Sequence, residues 1–158
     1  MSETITILEQ GNKEAQYLHL LPQIASLVSG ESDQIANFAN VSAVLKTAFN
    51  FFWVGFYRVV QQDLVLGPFQ GPIACTRIAY GKGVCGQAWK QAAPLIVPDV
   101  NQFPGHIACS SLSQSEIVIP LIDHNHVIAV LDIDSEQLNA FDEVDQKYLE
   151  TIVQYLLQ

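Results

Sequence analysis

SEIVIPLIDHNHVIAVLDID, residues 115–134, carries the pattern that decides the fold. Two runs rich in β-branched residues, 115–122 and 126–134, flank the turn residues DHN. Such a pair reads as a β-hairpin, and hairpin connections build an antiparallel sheet. In the second run, Ile128, Val130, Asp132 and Asp134 share one face by period two. Val127, Ala129, Leu131 and Ile133 share the other. Two carboxylates therefore end an apolar strand on the same side. For Asp134 taken alone, a strand end reaching into solvent explains the residue equally well. Whether Glu116 joins the two aspartates depends on the turn. A two-residue loop at 124–125 opposes 116 to 133 and sends Glu116 to the opposite face. A three-residue loop at 123–125 opposes 116 to 132, on the same face. The sequence leaves this register open.

FFWVGFYRVV (51–60) and LVLGPF (64–69) read as a second strand pair joined by QQD. PLIVPDV (94–100) reads as a short strand between prolines, and GKGVCGQAWKQ (81–91) as a short helix behind a glycine-rich start. Residues 12–28 are predicted helical, with Leu18, Leu21 and Ile24 at helical spacing and Leu20 and Leu27 widening the stripe. Pro22 is a candidate kink and Gly30 a stop. Ser32 or Asp33 caps a second helix with Ile35, Phe38, Val41, Leu45 and Ala48 on one face. Asp142 caps a closing helix whose stripe is Val144, Tyr148, Ile152 and Leu156. The expected fold is α+β, a central antiparallel sheet with helices on one side and a loop-covered pocket on the other. Residues 1–158 form one domain, with 1–12 a loose N-terminal segment. The stretch 68–115 is long and poor in regular structure, which in a compact domain points to function.

The chain has 158 residues, 49% hydrophobic and 15% charged, enough to bury a real core. Sixteen acidic and seven basic residues give a net charge of −9. That field repels phosphate backbones and anionic membrane surfaces, so neither nucleic acid nor membrane is an expected partner. MSETITILEQGNKEAQ (1–16) has no basic start and no long apolar run, and a cytoplasmic location is expected.

All three cysteines, Cys75, Cys85 and Cys109, lie in the irregular middle. An odd number in a reducing compartment argues against a structural disulfide framework. Cys75, Cys85, Cys109 and His106 offer enough zinc ligands, but the paired spacing of zinc sites is missing, so no metal is expected. Cys85 sits among glycines near a helix start, where amide donors favour a thiolate. Cys109 precedes SSLSQS, whose hydroxyls and N–H groups offer similar help, and His106 is a candidate thiolate partner. If Glu116 joins Asp132 and Asp134, repulsion and burial raise at least one carboxyl pKa, leaving a proton donor beside groups that hold an ammonium. Trp53 and Tyr57, four apart on one strand face, suit either the core or the walls of an apolar, sulfur-accepting pocket.

WVGFY, LGPFQG, ACTRI, GKGVCG, the PDV after PLIV, HIACSS…SEIVIP, and VLDIDS before the F-D-E of the last helix resemble the GAF-domain family of free methionine-(R)-sulfoxide reductases. The resemblance spans about residues 17–155, and the three cysteines in these contexts make it specific. It implies a single GAF domain with a small-molecule pocket on one face of the sheet. It implies that Cys109 attacks the substrate, that Cys75 forms the disulfide with it, and that Cys85 is the accessory thiol. Which of Cys75 and Cys85 is the main resolving thiol stays open. It places Glu116, Asp132 and Asp134 on the substrate, Trp53 and Tyr57 around its methyl-sulfur end, and favours the three-residue hairpin loop or one of the same parity. From the loop's composition rather than the resemblance, backbone N–H groups around Ser110 and Ser111 are the candidates for the substrate carboxylate. No cofactor is implied beyond an external dithiol, thioredoxin by resemblance, and a homodimer is expected. Two alternatives compete: a ligand-binding GAF sensor without chemistry, and a thiol redox sensor.

Overall fold

The computed structural model describes residues 4–158. The hairpin at its centre is β5 (Ser115–Asp123) and β6 (His126–Ser135). Asp123 pairs with His126 across a two-residue turn, His124 and Asn125, both in the left-handed region at φ 44° and 65°. This is the turn geometry that matches strand twist in tight hairpins, and it corrects the three-residue loop favoured by the resemblance. The two-residue pairing does not persist, however. Ile122 pairs with Val127 but Leu121 pairs with Ala129, so Ile128 is an extra, bulged residue. Beyond the bulge Glu116 opposes Asp134 and Val118 opposes Asp132. The bulge restores the parity that the short turn removes. It also exchanges the faces expected for 127 and 128: Val127 packs with Val130 on one side of the sheet, and Ile128 with Ala129 and Leu131 on the other.

Four more strands complete the sheet: β1 (Trp53–Val60), β2 (Asp63–Gln70), β3 (Arg77–Ala79) and β4 (Leu95–Val97). The order is β3-β2-β1-β6-β5-β4, antiparallel throughout. β3 lies in the stretch predicted to be irregular; at three residues it is too short to show a period of its own. A bulge between Gly55 and Tyr57 accommodates Pro68 in β2, as expected for a residue with no N–H to donate. β4 begins opposite Val118, so Pro120 lies where β5 has no partner on that side.

Three helices, α1 (Lys13–Val28), α2 (Gln34–Phe49) and α4 (Glu143–Tyr155), cover one face. Each starts at a capping side chain: Asn12 accepts from the Ala15 N–H, Asp33 from Ile35 and Ala36, and Asp142 forms a capping box with Asp145. The α1 stripe differs from the prediction. Tyr17, Leu20, Ile24 and Val28 are buried, while Leu18 is 54% exposed. Tyr17 turns the helix because its ring stacks on Tyr148 and its hydroxyl donates to buried Asp145 at 2.8 Å. In α2, Ile35 is likewise exposed, whereas Phe38, Val41 and Leu45 are buried as expected. In α4, Tyr148 and Ile152 are buried together with Leu149 and Val153, and Val144 is only half-buried.

A second apolar cluster fills the opposite face, built from Trp53, Tyr57, Val118, Val130 and the buried side of α3 (Gly83–Gln91). The helices are therefore not all on one side: α3 packs on the pocket face. The N-terminal stretch 4–12 forms no helix or strand, although the Thr6 N–H donates to Gln23 at 2.8 Å. No helix of the described residues is long and apolar enough to cross a membrane.

Candidate active site

The pocket opens on the α3 face of the sheet, and its floor is β6 and β5. Asp132 and Asp134 rise from alternate positions of β6, and Glu116 rises from β5 opposite Asp134. All three line the pocket, so the convergence expected of them is present. Glu116 is 5% exposed and Asp132 6%. Burial is the main force on each carboxyl. It pushes Glu116 well above the carboxylate range, with the charges of Asp132 and Asp134 adding to it. Asp132 is pushed up to about 6 by burial, with hydrogen bonding to Glu116 and Cys85 opposing the shift. Asp134 is also raised, chiefly by burial and then by Asp132, while a hydrogen bond donated by Ser113 opposes this. Glu116 is thus raised further than Asp132 and keeps a proton near neutrality. Asp132 Oδ1 is buried and accepts no hydrogen bond.

Cys85 faces the same cluster from the first turn of α3. Its Sγ lies 3.8 Å from Glu116 Oε1, within reach of an S–H donor. Burial, followed by the neighbouring carboxylates, raises this thiol well above its ordinary value. The thiolate expected from its place near a helix start is therefore corrected. Desolvation and three acidic neighbours outweigh the amide donors, and Cys85 is a neutral thiol. Together the donor atoms of Cys85, Glu116 and Asp132 lie within 4.8 Å of one another, the one spacing among the described residues compatible with a metal ion. His106 enters from the loop above, with Nε2 3.7 Å from Glu116 Oε2. Burial lowers its pKa, so the contact is between a neutral imidazole and a protonated acid rather than an ion pair.

Two loops close the pocket and meet at a disulfide between Cys75 and Cys109, with Cα atoms 5.6 Å apart. Cys75 follows β2, and Cys109 lies between a short 3-10 turn (Val100–Gln102) and β5. Trp53 and Tyr57 hold the Cys75 loop. The Trp53 indole N–H donates to the Pro72 carbonyl at 3.1 Å, and the Tyr57 hydroxyl donates to the Cys75 carbonyl at 2.9 Å. Their rings stack with centroids 5.9 Å apart, and Trp53 also stacks on Phe69 at 5.3 Å. Gly55 makes this possible: a Cβ there would lie 2.7 Å from Trp53 Cη2 and 2.3 Å from Phe69 Cβ. On the other loop Ser110 lines the pocket, and its Oγ accepts from the Leu112 N–H at 3.2 Å. Ser111 is exposed and is not brought to the pocket wall. Ser113, which donates to Asp134, was not singled out in the sequence, because nothing local separates it from the other serines of that run.

A family model described as a GAF domain matches residues 33–158. The "GAF domain-containing protein A" of Dictyostelium discoideum is 62% identical over 157 residues, covering 99% of each chain. The "Free methionine-R-sulfoxide reductase" of Escherichia coli (strain K12) is 44% identical over 146 residues, covering 92% of this chain and 88% of that one. Among solved structures, a free methionine-R-sulfoxide reductase from Neisseria meningitidis in complex with its substrate superposes with a TM-score of 0.96 at 52% identity. That match covers 98% of this chain and 93% of the other. A GAF sheet with buried carboxylates beneath a two-loop disulfide, and relatives at these identities over nearly the full length, lead to one assignment. The chain belongs to the GAF-domain family of free methionine-R-sulfoxide reductases.

Proposed function

We propose that this protein reduces free L-methionine-(R)-sulfoxide to methionine using its own cysteines. The observation that carries the reading is the Cys75–Cys109 disulfide at the mouth of a pocket floored by Glu116, Asp132 and Asp134. A sulfoxide sulfur is a poor electrophile until its oxygen is protonated. Glu116, kept neutral by burial, donates that proton while the Cys109 thiolate attacks. Oxygen passes to the thiol: methionine leaves, and Cys109 becomes a sulfenic acid. The Cys75 thiol then condenses with it, releasing water and forming the disulfide. An external dithiol, thioredoxin by family resemblance, exchanges with the disulfide and leaves as a cyclic disulfide. The sum is sulfoxide plus dithiol giving methionine, disulfide and water. Cys85, a buried neutral thiol, supports the acid cluster, and Cys75 resolves.

Asp132 and Asp134 take the substrate ammonium, and Trp53 and Tyr57 wall the methyl-sulfur end. Ser110, which lines the pocket, offers a donor to the substrate carboxylate. The protein works in the cytoplasm as a homodimer and uses no prosthetic group.

The test is methionine release from free methionine sulfoxide with dithiothreitol as reductant. Turnover of the R epimer is expected, with little of the S epimer or the N-acetylated R form. Losing two charged contacts costs about 10²–10⁴-fold. Cys109→Ser is expected to abolish single-turnover release, and Cys75→Ser to permit one turnover and then stall. No release by the wild type would leave a ligand-binding sensor. Comparable rates for free and N-acetylated substrate would sink the ammonium site.

A further inference from the structure

We propose that Cys85, Glu116 and Asp132 form a binding site for a thiophilic divalent cation of the zinc type, and that its occupancy blocks the pocket. The three side chains converge from α3, β5 and β6, with one donor atom each, all within 4.8 Å. Tetrahedral zinc, with bonds of about 2.3 Å to sulfur and 2.0–2.2 Å to oxygen, needs donors about 3.3–3.7 Å apart. The Cys85 Sγ to Glu116 Oε1 separation of 3.8 Å already approaches this, and side-chain rotation closes the rest.

A second observation points to a cation independently of the cluster's composition. Asp132 is 6% exposed, lines the pocket, and has a buried Oδ1 that accepts no hydrogen bond. No lysine or arginine lines this pocket to answer its three carboxylates. A buried carboxylate oxygen without a donor is costly, and a cation at that point removes the cost. The thiol decides which cation. Sulfur disfavours magnesium and calcium, whereas a thiolate with two carboxylates suits zinc and cobalt. On binding, the metal displaces the Cys85 S–H proton and the Glu116 carboxyl proton. Three protein ligands leave a fourth position toward the pocket, where His106 Nε2 stands 3.7 Å from Glu116 Oε2. Water or this imidazole completes the shell.

The blocking half of the inference rests on the reductase reading, in which Asp132 holds the ammonium and Glu116 supplies the proton. The binding half does not, so the two fail separately.

The disulfide form provides a clean assay, because Cys75 and Cys109 are joined and Cys85 is the free thiol. Titrating that form with Co2+ is expected to give a thiolate-to-cobalt charge-transfer band saturating at one equivalent and bleached by Zn2+. Calorimetric Zn2+ affinity is expected to fall by at least about 10–100-fold in Cys85→Ser and in Asp132→Asn. If Cys85→Ser does not fold, the wild-type band and Asp132→Asn decide. No band in the wild type, or unchanged affinity in the variants that fold, overturns the site. A band with normal turnover at saturating Zn2+ overturns the blocking. A band with no methionine release under any condition removes the reductase reading and leaves the metal site standing.

Discussion

Burial raises both Glu116 and Asp132, which serves the proposed chemistry and costs stability. It raises the Glu116 carboxyl well above the usual range, as the acid of the proposed mechanism requires. Glu116→Gln keeps the size but loses the acid, so kcat is expected to fall about 10²–10⁴-fold with a smaller change in KM. A variant with unchanged kcat and a raised KM would make Glu116 a binding group. Asp132 shows the cost of the same burial. Its folded pKa, about 6, lies above its ordinary 3.8. The folded state therefore binds the proton more tightly, and the penalty is absent below about pH 4, grows between pH 4 and 6, and is complete above. Asp132→Asn removes it and is expected to stabilise the fold at pH 7 by roughly 2–3 kcal/mol, with almost no gain at pH 4, while turnover drops. Urea unfolding of both proteins at the two pH values checks this, and an equal difference at pH 4 and pH 7 would contradict it.

Among the elements, two bulges shape the sheet around the site. The one at Ile128 brings Glu116 to the face of Asp132 and Asp134. The one between Gly55 and Tyr57 lies in β2, where Gly67 and Pro68 together oppose Phe56, while Trp53 and Tyr57 stay on the pocket face of β1 by period two. Gly55 is the tight point. A Cβ added there falls 2.9 Å from the Phe69 Cα and 2.7 Å from the Trp53 ring, and backbone cannot step aside cheaply. Gly55→Ala is expected to cost about 1–3 kcal/mol through overpacking. It should also slow closure of the Cys75–Cys109 bond, because Trp53 loses its grip on the Pro72 carbonyl. Denaturant midpoints and timed mapping of the disulfide after one turnover measure the two effects. Wild-type values in both would show that the strand pair yields more readily than its geometry implies.

At the scale of the whole molecule the sheet divides two tasks. Its helix face holds the larger apolar cluster, and its α3 face holds the pocket. The helix layer is tied by a polar knot. Asp145, 1% exposed, accepts from Tyr17 at 2.8 Å and pairs with Lys13 at 2.5 Å, joining α1 to α4. Tyr17→Phe leaves a buried carboxylate oxygen short of a donor and is expected to cost about 1–3 kcal/mol. Because the knot lies across the sheet from the pocket, kcat/KM should stay at the wild-type value. Paired unfolding and turnover measurements test this separation, and a large loss of activity at full occupancy of the folded state would break it.

The hairpin at 115–134, the capping residues Asp33 and Asp142, and the aromatic strand 53–60 were legible in the sequence, because turn chemistry, caps and period-two alternation act over a few residues. So was the shortlist of Cys75, Cys85, Cys109, Glu116, Asp132 and Asp134, since polar groups in apolar strands and thiols in loops stand out from their neighbours. The helix faces were legible only to within a residue, because Tyr17 takes its orientation from Asp145 on a distant helix. The convergence of Glu116 with the two aspartates was beyond local reading. A two-residue turn alone separates them, and one bulged residue packed against the helix layer reunites them. The state of Cys85 was likewise a tertiary matter: a helix start favours a thiolate, but folding buries this thiol against carboxylates from two strands. Local rules act along the chain, whereas register, burial and field depend on what packs across it, and those set the chemistry here.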